Sequence, residues 1–305
     1  MCEVTQERWL YPAFCTSENE DGTLTITNYY GYKSADSLDV PGTLKGKPVT
    51  AIGEKAFWTV SAKSLTLPDT LKSIGVMAFY YLEAETLTLP EGLLEIGAQA
   101  FQEDSKLTSL TLPSTLKTIG GSAFNAAQLT ELVIPEGVES IGPGAFNGST
   151  FTSVSIPSSV KSIDYYAFAN STLGNITMGA ATVRDIAFGK TGCTADTIVF
   201  LKNGDAALDI GRRGGTSATL NAIAKKADGT SPDILIEDGV TIESLGAYAE
   251  DSGTEFAGQY LIFEERNDSN KTVMIKSMGS GIDADKYAVG NTVDIGGETY
   301  TITDA

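Results

Sequence analysis

From Leu65 to Phe168 the apolar residues of this 305-residue chain recur in one fixed order. An alternating L-x-L or L-x-I leads into a proline. An apolar residue stands three places after the proline and another three places further on, and an Ala-Phe pair closes the unit. The phrase LTLPDTLKSIGVMAF begins at Leu65, LTLPEGLLEIGAQAF at Leu87 and LTLPSTLKTIGGSAF at Leu110. LVIPEGVESIGPGAF follows from Leu132 and VSIPSSVKSIDYYAF from Val154. Phe57, Phe79, Phe101, Phe124, Phe146 and Phe168 keep a period of 22 residues with one interval of 23. The alternation is strand periodicity, and a fixed period of this length is the mark of a stacked repeat.

Each residue type in the unit has a mechanical reading. Proline fixes φ and donates no hydrogen bond, so Pro113 and its equivalents end the strand. Gly75, Gly97, Gly120 and Gly142 are expected at turns with positive φ. Asp164, which takes that place in the next copy, reads as a turn residue rather than a catalytic acid. In the third copy Leu107, Leu110, Leu112, Leu116, Ile119, Ala123 and Phe124 form the inward set. One such set is too small to fold alone, so the units must share burial with stacked neighbours. The predicted fold is a repeat solenoid, right-handed and mainly β. It has a parallel sheet on the concave face, short turns or 3-10 segments opposite, and a small C-terminal β module.

The organisation follows. Residues 1–37 read as an N-terminal cap and 38–200 as repeats. Residues 201–257 are irregular, with a short helix expected around 218–226 and a degraded copy from Ile234. Residues 258–305 read as a small C-terminal β module, with VDIGGETYTIT a hairpin tipped by Gly-Gly. The repeat resembles that of bacterial BspA-like leucine-rich-repeat proteins, and residues 21–57, with G-K-P at 46–48, resemble the opening repeat of that family. The likeness covers roughly residues 21–190. It implies a leucine-rich-repeat fold and a surface-exposed or secreted bacterial protein, some of whose relatives adhere to host matrix proteins and cells. It implies no enzyme activity and no catalytic residues.

Composition narrows the chemistry. The chain has no histidine, which removes the commonest general base and zinc ligand and every Ser-His-Asp or Cys-His arrangement. No metal site, cofactor or carboxylate pair stands out from the repeat. The net charge of −18 argues against nucleic acid, whose phosphates need Lys and Arg. Ser114 and Lys117 form an S-x-x-K, yet Asp69 and Lys72 or Glu136 and Glu139 hold the same places in other copies, so the pair is structural. LPDTL and LPSTL lack the glycine of a sortase signal. SENEDG, with Ser17 and Asn28 as end ligands, makes a poor calcium loop and a better turn before TLTIT. Cys2, Cys15 and Cys193 are too few for a disulfide framework. Solenoid spacing leaves Cys2–Cys15 as the only plausible bridge and Cys193 free and buried. Cys2 is also a candidate lipid anchor. No stretch approaches the ~20 apolar residues of a bilayer span, and the first residues lack the pattern of a signal peptide. An extracellular or cell-surface location is expected, with any signal removed.

Two surfaces are candidates for binding. The strand residues flanking the central apolar one point away from the core. They are Ser64 and Thr66, Thr86 and Thr88, Ser109 and Thr111, Glu131 and Val133, Ser153 and Ser155, and Asn175 and Thr177. One charge in twelve positions makes a platform for a protein or glycan, although Thr also favours strands for its own sake. The second candidate is the place after the repeat phenylalanine, where Trp58 and Tyr80 stand in adjacent copies beside Tyr81. These rings either form a binding hot spot or pack beneath the N-terminal cap with NYYGY. The functional expectation is a non-enzymatic protein that binds a macromolecular partner. The alternative is a stiff spacer that displays the C-terminal module.

Overall fold

The computed structural model describes residues 14–179, 194–201, 233–237, 260–264, 267–278, 282–295 and 298–303, with short pieces at 182–183, 187 and 209–210. Cys2, Cys193, the helix expected at 218–226 and most of the degraded copy lie outside these residues. No helix occurs among the described residues, and none could therefore cross a membrane as one.

The chain winds into a parallel solenoid. Its outer strands are β3 (Ser34–Asp39), β6 (Ser61–Thr66), β8 (Thr86–Thr88), β10 (Ser109–Thr111), β12 (Glu131–Val133), β14 (Ser153–Ile156), β16 (Asn175–Met178), β18 (Thr197–Phe200), β20 (Asp233–Glu237) and β21 (Tyr260–Phe263). From β12 to β21 they pair in parallel without a break. A second parallel ladder runs along another edge. It comprises β2 (Leu24–Tyr29), β5 (Lys47–Ile52), β7 (Ser73–Ile74), β9 (Glu95–Ile96), β11 (Thr118–Ile119), β13 (Ser140–Ile141), β15 (Ser162–Ile163), β17 (Thr182–Val183) and β19 (Asp209–Ile210). β1 (Phe14–Glu18) closes its N-terminal end antiparallel to β2, and β4 (Thr43–Leu44) makes a hairpin with β5. Lys45 and Gly46 both have positive φ at that hairpin's tip, as a tight two-residue turn requires.

The proline turn links the two ladders. Its carbonyl accepts the amide three residues on, from Leu71 to Pro68 (3.0 Å) through Val160 to Pro157 (3.3 Å). The remaining edge of each coil is the turn carrying the phenylalanine. There the amide of Phe79 donates to Ala100 (2.8 Å) and that of Phe101 to Ala123 (2.8 Å), so this edge is hydrogen-bonded from coil to coil as well. The six repeat phenylalanines stack in the core with centroids 4.9, 5.3, 5.4, 5.5 and 5.5 Å apart and nearly parallel planes. Tyr29 caps the column at 5.2 Å from Phe57. Each buried ring contributes about 2–3 kcal/mol.

Two expectations about the repeat need correction. The repeat glycines do not have positive φ. A Cβ at Gly97 would lie 2.7 Å from the carbonyl carbon of Gly75, and one at Gly120 would lie 2.5 Å from the amide of Ala98. Glycine is required because neighbouring coils touch backbone to backbone. The left-handed places lie two residues later, at Lys55, Met77, Gln99, Ser122, Gly144 and Tyr166, and two residues after each phenylalanine, from Thr59 to Asn170. Asp164 is likewise outside the positive-φ set, and its Oδ1 accepts the Tyr165 amide at 2.8 Å. In the third copy Leu110 and Leu112 are only half-buried, while Leu107, Leu116, Ile119, Ala123 and Phe124 are buried. That copy follows the interval of 23, and β10 pairs with β8 but not with β12.

At the other end β22 (Thr272–Met278) adds antiparallel to β21 and is followed by β24 (Glu298–Thr303), whose hairpin partner is β23 (Thr292–Ile295). Strands from before and after residue 258, where the sequence suggests a new module, thus share one sheet. A second apolar cluster forms there from Val199, Leu235, Leu261 and Phe263 with Val273, Ile282, Tyr287, Ile295, Tyr300 and Ile302.

Candidate functional site

Strand alternation sends the flanking residues of each outer strand away from the core, and the register aligns them into two rows. Glu131, Ser153, Asn175, Thr197 and Asp233 lie side by side in one row. Val133, Ser155, Thr177, Val199, Leu235 and Leu261 lie side by side in the other. The N-terminal part of this face is open: Ser64, Thr66, Thr86, Thr88, Ser109, Thr111, Glu131 and Val133 are all exposed. Ser153, Ser155 and Asn175 are half-buried, and Thr177 is only 4 % exposed. Thr177 therefore cannot offer its side chain to a partner as the sequence suggested. β3 adds exposed Ser37 and Asp39, paired with Ser64 and Thr66, which sequence reasoning missed.

The chain itself covers the rest of this face. Val133 is 69 % exposed, whereas Val199, three coils along the same row, is 0 % exposed. Lys286 Nζ lies 2.5 Å from Asp233 Oδ2, and the Tyr287 hydroxyl donates to the same oxygen at 3.0 Å. Burial first, then the Asp233 charge, pushes the Tyr287 phenol well above its ordinary pKa. The signal was legible: IVF at 198–200, ILI at 234–236 and LIF at 261–263 are apolar without alternation, the pattern of strands buried on both faces.

On the turn edge Trp58 and Tyr81 are each 49 % exposed and Tyr80 is half-buried. The Tyr80 and Tyr81 rings meet edge to face at 4.7 Å. Among the described residues it is Tyr29, with Phe14 beside it, that packs against the first coil, while Tyr30 and Tyr32 stay exposed. Within NYYGY it is Tyr29 that packs on the first coil, against Phe57.

Several other polar groups pair within or between coils. Ser114 Oγ donates to Glu91 Oε2 at 2.9 Å, and both Ser114 and Lys117 are exposed repeat positions. Lys161 Nζ sits 2.6 Å from Glu139 Oε2 and holds that carboxyl below its usual range. Asp21 accepts the Thr23 amide at 3.0 Å and its hydroxyl at 2.6 Å, which closes the turn before β2. Cys15 is disulfide-bonded, and both candidate partners, Cys2 and Cys193, lie outside the described residues. No group of His, Cys, Asp and Glu that could hold a metal occurs among the described residues.

One buried acid was missed. Asp104 is 0 % exposed and occupies the place held by Val60, Leu82, Ala127, Ser149 and Ser171 in other coils. No donor reaches either carboxylate oxygen in hydrogen-bonding geometry. Burial raises its pKa to about 7, and the nearby amides of Ala84, Lys106 and Glu83 offset only part of that rise. Aligning the repeats at phenylalanine exposes it, but the coil lengthened by one residue obscures the alignment just there.

Residues 50–174 and 125–191 match the BspA type leucine rich repeat region, in six copies. Across those residues the repeats of this chain match that family. Its fold is shared by the leucine rich repeat protein of T. pallidum, which is 28 % identical at a TM-score of 0.52, with 59 % of this chain and 86 % of that one covered. It is shared as well by a leucine rich cell surface protein of Faecalibacterium prausnitzii A2-165. That likeness has a TM-score of 0.56 at 24 % identity and covers 79 % of this chain and 71 % of that one. A search of curated protein sequences finds no relative.

Proposed function

We propose that this is a non-enzymatic bacterial protein, displayed at the cell surface or secreted, that binds a protein partner through the open part of its outer strand face. The observation that carries this reading is the contrast within one sheet. Eight side chains from Ser64 to Val133 are exposed, while the same face from Val199 onward packs in one apolar cluster with the chain's own C-terminal segment. A rigid row of short hydroxyl side chains meets a partner with little loss of side-chain freedom, which lowers the cost of binding. Asp104, the one carboxyl among the described residues whose pKa is pushed up to about 7, is sealed in the core, out of reach of a substrate. Surface display has support from the family and from the description borne by the Faecalibacterium protein of like fold. A spacer that displays a separate C-terminal module is less well supported, because β22, β23 and β24 pack into the end of the solenoid.

The test is a solid-phase screen of the purified protein against extracellular-matrix proteins and mucin, with Thr111→Arg and Glu131→Arg run beside it. A hit weakened by about tenfold or more in these variants supports the platform. Hits that both variants leave intact place binding elsewhere, and an empty screen favours the spacer.

A further inference from the structure

The turn edge carries a second row in register. The residue after the repeat phenylalanine is Trp58, Tyr80, Gln102, Asn125 and Asn147 in five successive coils, and the row ends at the sixth, where Ala169 is buried. Backbone hydrogen bonds lock the row: the amides of Thr59, Tyr81, Glu103 and Ala126 donate to the carbonyls of Tyr80, Gln102, Asn125 and Asn147 at 3.2, 3.1, 2.9 and 2.9 Å. The neighbouring phenylalanine rings measure its pitch, 4.9 to 5.5 Å per coil. Two aromatic rings are thus followed by three carboxamides at a nearly constant interval; Trp58 is exposed, the other four are half-buried, and none is charged.

From this row we propose a binding site for an extended, neutral, β-linked polysaccharide that lies along the solenoid axis, one sugar per coil. A pyranose presents a face of C–H groups, which stacks on an exposed aromatic ring, so Trp58 and Tyr80, with Tyr81 at its edge, hold one end of the chain. Each carboxamide has a donor and an acceptor, which suits the paired hydroxyls of the sugars that follow. An extended β-linked chain advances by one ring length per sugar, which keeps step with the coils; an α-linked chain curls and loses register. Glu103 follows Gln102 directly in a chain of net charge −18, so sulfated and uronic-acid polymers are repelled. The row lies on a different edge of the coil from the open strand face, and the two sites stand or fall separately.

Calorimetry with cellohexaose, cellobiose and maltohexaose on the full chain tests this. Cellohexaose should bind, cellobiose far more weakly because it spans only part of the row, and maltohexaose not at all. Trp58→Ala and Tyr80→Ala should each weaken cellohexaose binding by about tenfold, and Gln102→Ala by roughly threefold. Thr111→Arg should leave it unchanged. Trp58 is 49 % exposed and neither it nor Gln102 belongs to the buried core cluster, so their variants remain informative if Tyr80→Ala loses stability by circular dichroism. Failure of cellohexaose to bind at millimolar concentration overturns the proposal. Equal binding of maltohexaose, or full binding by Trp58→Ala, overturns it too.

Discussion

Val133 and Val199 occupy the same row of the same sheet, yet one stands in water and the other is sealed. The frame beneath them is alike, with parallel pairing, buried flanking residues and a common register. What differs is the company on the outer face. Around Val133 the neighbours are Thr111, Glu131, Ser153 and Ser155, which water satisfies. Around Val199 they are Thr177, Leu235 and, beyond it, Leu261, which the hairpin of β23 and β24 and the segment with Ile282 and Tyr287 cover. The solenoid provides a surface along its whole length, and the outer side chains decide which part of it is used up by the chain itself.

The largest test of that contrast is Leu235→Ala. It should destabilise the covered end by roughly 2–5 kcal/mol, because it opens a cavity in a packed cluster. The matched change Thr111→Ala on the open face should stay within about 0.5 kcal/mol. Urea denaturation of the two variants compares them directly, and similar losses would mean that the open face is packed as well.

The next effect concerns the core beneath the open half. Asp104 has a folded-state pKa of about 7 against an ordinary value of 3.8, so the folded state favours its neutral form. Stability should be highest below pH 4, fall as pH rises toward 7, and level off above. The size is roughly 2–4 kcal/mol. The exposed carboxyls of Glu139, Asp36 and Glu298 are shifted downward and act in the opposite sense. The difference between wild type and Asp104→Asn isolates the buried group, and unfolding curves at pH 5 and 8 should converge in the variant. An unchanged pH dependence in Asp104→Asn would show that the carboxyl reaches water.

A smaller effect tests the turn ladder. Ser122 holds φ +54°, and Gly144 fills the same place one coil on. Ser122→Gly should raise stability by about 0.5 kcal/mol, the strain relieved exceeding the added freedom of the unfolded chain. A loss in thermal unfolding would mean that the serine side chain contributes more than its backbone costs.

Much of this was readable from the chain. The period made the solenoid legible, since equivalent residues must repeat equivalent contacts. The period does not say what those contacts are. Glycine at 75, 97, 120 and 142 suggested positive φ, but the need for glycine comes from the coil in front of it, at a distance no sequence displays. The residues that do hold positive φ, such as Met77 and Gln99, have no such propensity and are fixed by ladder hydrogen bonds. The open rows from Ser64 to Val133 followed from strand alternation alone. The covering of Val199 and Leu235 depends on residues from Val273 to Ile302, far along the chain, whose only sequence trace is the loss of alternation in β18, β20 and β21. Deleting residues 258–305 to test a spacer role would strip β21 and lay bare Val199 and Leu235, so point variants on the open face are the better probe.

The contrast between the halves can be measured without knowing any partner. Hydroxyl-radical footprinting of the native protein, read by mass spectrometry, compares Val133 with Val199 and Leu235. Rapid labelling of Val133, with Val199 and Leu235 labelled only on unfolding, is the predicted result. Equal labelling of the three in the native state would contradict the account, because the sheet would then be open, or covered, along its whole length.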